Sequence, residues 1–473
     1  MAQNIVVVGG GIAGLATAYY TEKAAKEQGL DVKVTVVERD ARLGGKVLTD
    51  ETDDGFVIEG GPDSFITQKP WGLQLVRELG LADNLLGTND ERRNVYILRN
   101  GKLHQMPDGL MLVVPTEFLP FAKSRLLSWR GKMRMGMELF IKPSTINGSD
   151  ISLADFMRRR LGKEALEVLV EPMMAGIHVA DAEKLSLKAT FPRFIDIERK
   201  YGSLTKGMLA AKKMRAEAKK KNPDSSLSMF MTLKGGLKKL IAALEDALEG
   251  EIITGQAVMY LDKDSESYTL TLQDGRKIAA DSVILATPSF VAANLLQSHD
   301  NDLVDLLNGI RYVDTATVSL GYEKENFPHP LNGFGFVIPR SEPTRILACT
   351  WTSTKFDHRA PEEHVLLRAF IGGPRRQELV QLSEEELVKL VREELETIMG
   401  IDVAPKVARV FRWIRSNPQY DVGHLDRVGQ MEELCPPGIY LTGSAYRGVG
   451  IPDCVHQGQL TAEKVVAGLA VKA

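Results

Sequence analysis

The sequence predicts a mixed α/β chain in which a nucleotide-binding lobe opens at the N-terminus, is interrupted, and closes at the C-terminus. Three observations carry this. Residues 5–14 read I-V-V-V-G-G-G-I-A-G, a β-branched run ending in Gly9-x-Gly11-x-x-Gly14 with helix formers directly behind it. A second β-rich run over residues 32–37 delivers Glu38, roughly 20 residues past the last glycine, where an acid can bond the hydroxyls of a ribose. After a strand-poor middle, β-rich segments return, and the chain closes on a strand, a glycine turn and a helix.

Each glycine of the first motif has its own task. Gly9 permits the tight turn, Gly11 lets backbone approach a pyrophosphate, and Gly14 lets the helix pack closely on the strand. Further along, Ser152 caps a helix over residues 153–161, and residues 164–170 form another. The run 123–137 is basic and carries Leu126, Leu127 and Trp129 at partly helical spacing, which reads as ordinary packing. Residues 212–221 (K-K-M-R-A-E-A-K-K-K), closed by Asn222-Pro223, are the densest positive stretch. That stretch reads as a solvated helix end or loop, or as a surface for anionic lipid or a partner.

Residues 238–248 form an amphipathic helix, and 251–260 with 268–272 are strands before an Asp274-Gly275 turn. Residues 281–288 (D-S-V-I-L-A-T-P) are a buried strand ended by proline. Residues 310–375 alternate apolar and polar side chains, as in a mostly antiparallel sheet. Ser383 and Glu386 make a capping box for a helix over 383–399. A last strand spans 438–442, followed by Gly448-x-Gly450 and a helix over 453–469. The Rossmann-like lobe is therefore expected over 1–75, 225–290 and 405–473. An antiparallel-sheet lobe is expected over 76–115 and 291–404, with a helical insertion over 116–224.

Composition narrows the class. The chain has 473 residues, 44% hydrophobic and 26% charged, with net charge −3. It is long enough for two or three lobes, and its charge gives no indication of nucleic acid. Cys349, Cys435 and Cys454 lie far apart, so neither a metal site nor a disulfide framework is expected, which fits a reducing cytoplasm. No apolar run approaches the ~20 residues of a bilayer span. The eight histidines are scattered, and His178 and His424 are read as structural rather than as general bases.

A dinucleotide motif alone does not separate one adenine dinucleotide from another. The next segments are more specific: Glu38-Arg39 with Arg42-x-Gly44-Gly45-Lys46, then Gly60-Gly61-Pro62-Asp63-Ser64. E-R-x-x-R-x-G-G-K is similar to the signature of the amine oxidase-like flavoproteins, and 281–288 and 441–452 resemble that superfamily's second strand and C-terminal turn. The resemblance implies FAD, bound non-covalently, since Cys454 lies past the attachment point used by covalent relatives. Within the superfamily, residues 59–65 (E-G-G-P-D-S-F), 103–107, Glu171-Pro172 with Gly176-Ile177, 184–186, 418–424 and 448–454 resemble the porphyrinogen oxidases of haem biosynthesis. The match is narrower still to their soluble Gram-positive-type bacterial branch.

That resemblance implies oxidation of coproporphyrinogen III to coproporphyrin III, and of protoporphyrinogen IX to protoporphyrin IX, by hydride transfer to FAD with dioxygen as acceptor and hydrogen peroxide released. It implies that FAD is held by Gly9, Gly11, Ile12, Ala13, Gly14, Glu38, Arg39, Lys46, Gly61, Pro62, Asp63, Ser64, Val258, Trp413, Val449, Gly450 and Ile451, and places Lys69 at the substrate. No catalytic side chain and no metal ligand are assigned, since the flavin performs the chemistry. Eukaryotic relatives carry an arginine before the strand that contains residues 103–107; here Arg93 and Asn94 both fall near it and the register is open, which puts the eukaryotic mode of carboxylate capture in doubt. A cytoplasmic enzyme is expected, either free or peripheral on the inner face of a membrane, with a downstream ferrochelatase as a further candidate partner for residues 212–221. The alternatives are an amine oxidase or desaturase on the same fold, or a flavin-bearing electron-transfer protein.

Overall fold

β-branched runs buried on both faces favour a parallel sheet covered on either side, and that sheet organises the first lobe. The computed structural model describes residues 2–144, 149–221, 227–264 and 267–470. Five parallel strands lie in the order Glu251–Ile253, Val32–Val37, Gln3–Val8, Ser282–Leu285, Ile439–Leu441. One face packs Ile5, Val7, Val34, Val36 and Ile284 against the helices Ile12–Glu27, Pro70–Glu78, Lys238–Ala247 and Ile451–Ala470. The other packs Val6, Val8, Val283 and Leu285 against a three-stranded meander, Val258–Lys263, Tyr268–Leu272 and Lys277–Ala280, and against three shorter helices.

The second sheet has seven strands, in the order Val407–Pro418, Tyr312–Glu323, His364–Gly372, Ala348–Trp351, Gly335–Val337, Val95–Arg99, Lys102–Gln105. All its pairs are antiparallel except Gly335–Val337 with Val95–Arg99. The helix Glu384–Met399 covers it, opened by the expected capping box of Ser383 and Glu386.

Three expectations are corrected. Residues 407–418, expected in the nucleotide lobe, pair instead with Tyr312–Glu323 as the edge of the seven-stranded sheet. The helices Ser289–Leu295 and Asn301–Asn308, expected in the second lobe, pack on the nucleotide sheet. The strand expected over 251–260 is two: Gly255, at φ +69°, turns the chain from the parallel sheet into the meander.

The helical part between residues 118 and 221 has its own core of Phe156, Leu169, Phe194 and Met208. The helix begun at residue 163 runs on to His178, and its turn over Leu166–Val170 widens to π geometry. Pro172 follows at once and lacks the N–H that a regular turn needs there. The run 123–137 is not ordinary packing. Leu126, Leu127 and Met135 are buried, but Trp129, Met133 and Met137 are more than half exposed. Residues 212–221 continue the helix Leu204–Lys221, while Asn222-Pro223 lie outside the described residues.

Glu138 and Arg160 are fully buried and paired at the centre of this part. Glu138 also accepts from Ser203 Oγ at 2.7 Å, Leu204 N at 2.7 Å and Thr205 N at 3.1 Å, so it caps the helix Leu204–Lys221. Burial pushes its carboxyl pKa up, but the hydrogen bonds outweigh burial and hold it below the usual range. Removing the cation strands a buried carboxylate, so Arg160→Met is expected to cost about 3–5 kcal/mol. A thermal midpoint equal to that of the parent would contradict it.

Candidate active site

In a doubly wound sheet, ligands bind beyond the carboxyl ends of the strands, where the strand order reverses. Here the glycine motif sits in that crevice. A Cβ on Gly14 would lie 1.9 Å from Gly9 O, and one on Gly9, at φ +110°, 2.7 Å from Ala286 O. Both glycines are demanded by the fold itself. A Cβ on Gly11 would meet nothing within 4 Å, so at that position the fold makes no steric demand. Gly11 precedes Ile12–Glu27 without a side-chain cap, leaving the first N–H groups of that helix for an anion.

Glu38 follows the second strand. Its Oε2 accepts from Gly10 N at 2.6 Å and its Oε1 from Asp40 N at 2.9 Å, which aims the carboxylate at the glycine turn. Gly255 and Gln256 donate backbone hydrogen bonds to Asp40 O and Glu38 O, bringing Val258 beside this segment. Arg39 is exposed and lies 3.3 Å from Asp40. The G-G-K turn is stitched to the first motif by Gly44 N donating to Gly10 O at 2.8 Å. Lys46 reaches into the cleft, its Nζ 3.3 Å from Ser444 Oγ, and loss of water there lowers its pKa.

The second glycine pair is held from the other sheet. Gly60 O accepts from Thr317 Oγ1 at 3.1 Å, Arg368 Nη2 at 3.0 Å and Trp413 Nε1 at 2.9 Å, and Arg368 also bonds Gly61 O. Trp413 therefore stands against the G-G-P-D-S loop. Asp63 receives Lys355 Nζ at 3.0 Å and Ser64 Oγ at 2.6 Å. Burial would raise its pKa, yet Lys355 and Arg368 outweigh that and hold it well below the usual carboxylate range.

The C-terminal turn completes the cleft. Gly448, at φ +135°, donates to Tyr420 Oη at 2.8 Å, and Tyr420 donates to Ser444 O at 2.8 Å. Val449 packs towards the helical core, and Ile451 opens the last helix. Lys69, just before Pro70–Glu78, reaches this turn: its Nζ lies 2.6 Å from Asp453 Oδ1. His424 is fully buried, stacked on Tyr420 at 3.9 Å, with Nε2 2.7 Å from Tyr446 O. Burial lowers its pKa to about 4, so it stays neutral. Burial and then the charge of Lys69 lower that of His178 to about 4 as well. The thiol of Cys454 is pushed up to about 12 by burial. Among the described residues, no group of three or more His, Cys, Asp or Glu is arranged to hold a metal ion.

The residues present fit FAD. A sterically open Gly11, an uncapped helix start and a poised acid suit the adenosine and pyrophosphate. Thr287 and Thr442, just past the ends of two adjacent parallel strands, keep buried hydroxyls without a partner, as polar groups lining a ligand cleft do. Fold and site thus define an FAD-binding flavoprotein. The chain belongs to the family described as Flavin containing amine oxidoreductase, whose model matches residues 12–466. It is 39% identical to the coproporphyrinogen III oxidase of Bacillus subtilis (strain 168) over 97% of this chain and 96% of that one. It is 32% identical to protoporphyrinogen oxidase 1, chloroplastic, of Arabidopsis thaliana, over 98% and 88%. A crystal structure from Exiguobacterium sp. 255-15 superposes with TM-score 0.87 at 36% identity over 99% of both chains.

Sequence reasoning missed Thr317, Arg368, Lys355 and Tyr420. A lone arginine inside the apolar strand His364–Gly372 was the one visible signal, since a charge in such a run needs a buried partner. The two kinds of glycine are separable by experiment. Gly14→Ala is expected to abolish soluble protein, whereas Gly11→Ala folds but binds FAD about a hundredfold more weakly. Flavin content and circular dichroism of the two variants check this; equal behaviour would show that steric demand does not divide them.

Proposed function

We propose that the chain is an oxygen-dependent coproporphyrinogen III oxidase, producing coproporphyrin III and hydrogen peroxide, with weaker use of protoporphyrinogen IX. The observation that carries this is the full-length likeness to a relative of that name, which exceeds the likeness to the protoporphyrinogen oxidase. FAD, when bound there, would supply the hydride acceptor for the bridging carbons, with dioxygen as the final acceptor. Gly9, Gly11, Ile12, Ala13 and Gly14 would cradle its pyrophosphate, Glu38 its ribose, and Arg39 and Val258 the adenine end. Lys46, Gly61, Pro62, Asp63, Ser64, Trp413, Val449, Gly450 and Ile451 would surround the rest, without a covalent bond.

The protein's work is to bind and orient. Burial keeps His424 an uncharged, weakly basic imidazole and Cys454 a thiol, so neither adds a charge beside the cofactor. Lys69 places a cation at the mouth of the cleft, where a propionate of the substrate can meet it. Purified holoenzyme given coproporphyrinogen III in air is expected to generate porphyrin fluorescence and peroxide together, with kcat/KM at least about tenfold above that for protoporphyrinogen IX. Rates equal to the autoxidation blank would refute the oxidase, and acid precipitation should release the flavin into the supernatant.

We infer further that the helical part rests on an anionic membrane surface. No helix among the described residues is long and apolar enough to cross a membrane. However, Leu119, Trp129 and Phe140 are 67%, 67% and 86% exposed, beside exposed Lys123, Arg125 and Arg130. Apolar side chains set among cations are the composition of an interfacial anchor. Co-sedimentation with phosphatidylglycerol vesicles, lost with Trp129→Ser and Phe140→Ser, is expected. Failure to pellet at low salt would end this reading, and pelleting that requires added ferrochelatase would assign the face to that protein.

A further inference from the structure

Lys69 does not stand alone. Its ammonium meets Asp453 Oδ1 at 2.6 Å, and the two side chains differ in exposure: 47% for Lys69 and 16% for Asp453. Asp453 is the anchored member. It lies in the first turn of Ile451–Ala470, where a carboxylate is favoured by the helix dipole. Its side chain also packs into the space left by the missing side chain of Gly448, since a Cβ there would lie 2.5 Å from Asp453 Cβ. Lys69 is the reaching member, extended from the start of Pro70–Glu78 across to that turn. Its charge also contributes, after burial, to lowering the pKa of His178 at the end of Glu171–His178.

This geometry has a consequence for ligand capture. A lysine head has three donors, and Asp453 Oδ1 engages it from the protein side, leaving donor capacity on the half-exposed side. A free lysine stem loses rotamer freedom when it grips a ligand. A lysine already tethered loses less, so its contribution to binding is larger. We propose that Asp453 is a positioning residue that holds Lys69 at the cleft mouth so that it can take a carboxylate of the substrate. The proposal rests on the reading that Lys69 meets a substrate propionate.

The test compares holoenzymes of Lys69→Ala, Asp453→Asn and the double variant. It measures KM and kcat with coproporphyrinogen III, and the Kd of coproporphyrin III by fluorescence quenching. Lys69→Ala is expected to raise KM and Kd about tenfold and Asp453→Asn about fivefold, with kcat changed by less than about twofold. The double variant should be no worse than Lys69→Ala alone, because one interaction is removed in both. Asp453→Glu, which keeps the charge, should recover most of the loss. If Asp453→Asn does not accumulate as holoenzyme, Asp453→Ser takes its place. An unchanged or lower KM and Kd for the Asp453 variants, alongside a raised KM for Lys69→Ala, overturns the positioning role and leaves the substrate reading intact. No change in either constant for Lys69→Ala overturns the substrate role of Lys69, and the positioning role with it.

Discussion

The carbonyl oxygen of Gly60 is where the two sheets meet. Thr317, Arg368 and Trp413, from three adjacent strands of the seven-stranded sheet, all donate to it. The same peptide borders the loop 60–64 that faces the cofactor cleft. Gly60 and Gly61 are required by this convergence. A Cβ on Gly60 would strike the Phe411 ring at 2.7 Å, and one on Gly61 would lie 1.8 Å from Lys46 O. One short segment is thus pinned between the second sheet and the G-G-K turn of the first. The guanidinium of Arg368 makes these hydrogen bonds charge-assisted, and its burial leaves them poorly screened, so this point ties the two lobes together.

That dependence explains how the interrupted lobe closes. The first strand, the 281–288 segment and the last strand come from distant parts of the chain, yet they sit side by side in one parallel sheet. Their ends supply Gly9, Thr287 and Thr442 to one crevice. A continuous βαβ unit could supply the pyrophosphate turn alone. Only the return of the chain brings the turn at Gly448–Ile451 against Lys69, through Asp453, and holds it through Tyr420.

Legibility in the sequence followed the range of the forces involved. Gly9, Gly14 and Glu38 were legible because turn sterics and strand spacing act over a few residues, and the capping box at Ser383 was legible for the same reason. The placement of residues 407–418 was not. Which sheet V-A-R-V-F-R-W-I-R joins depends on pairing with Tyr312–Glu323, about a hundred residues away in sequence. The face of 129–137 was missed because helical spacing of apolar residues does not say which stripe is covered. The structure covers Met135 and leaves Trp129 and Met133 exposed.

The charges near the cofactor loops divide into paired interior groups and a half-exposed cation. Two buried acids near the cofactor loops are paired: Asp63 with Lys355, and Glu59 with Arg359 at 3.3 Å. Breaking such pairs would strand a charge, so they are unsuited to bind a transient ligand. The histidine and thiol nearby are held neutral. Lys69, half-exposed and tethered on one side only, is the group whose charge can be shared with an incoming carboxylate at little desolvation cost. On the proposed reading, that half-exposed cation, rather than the paired acids Asp63 and Glu59, would be the group that meets a substrate carboxylate.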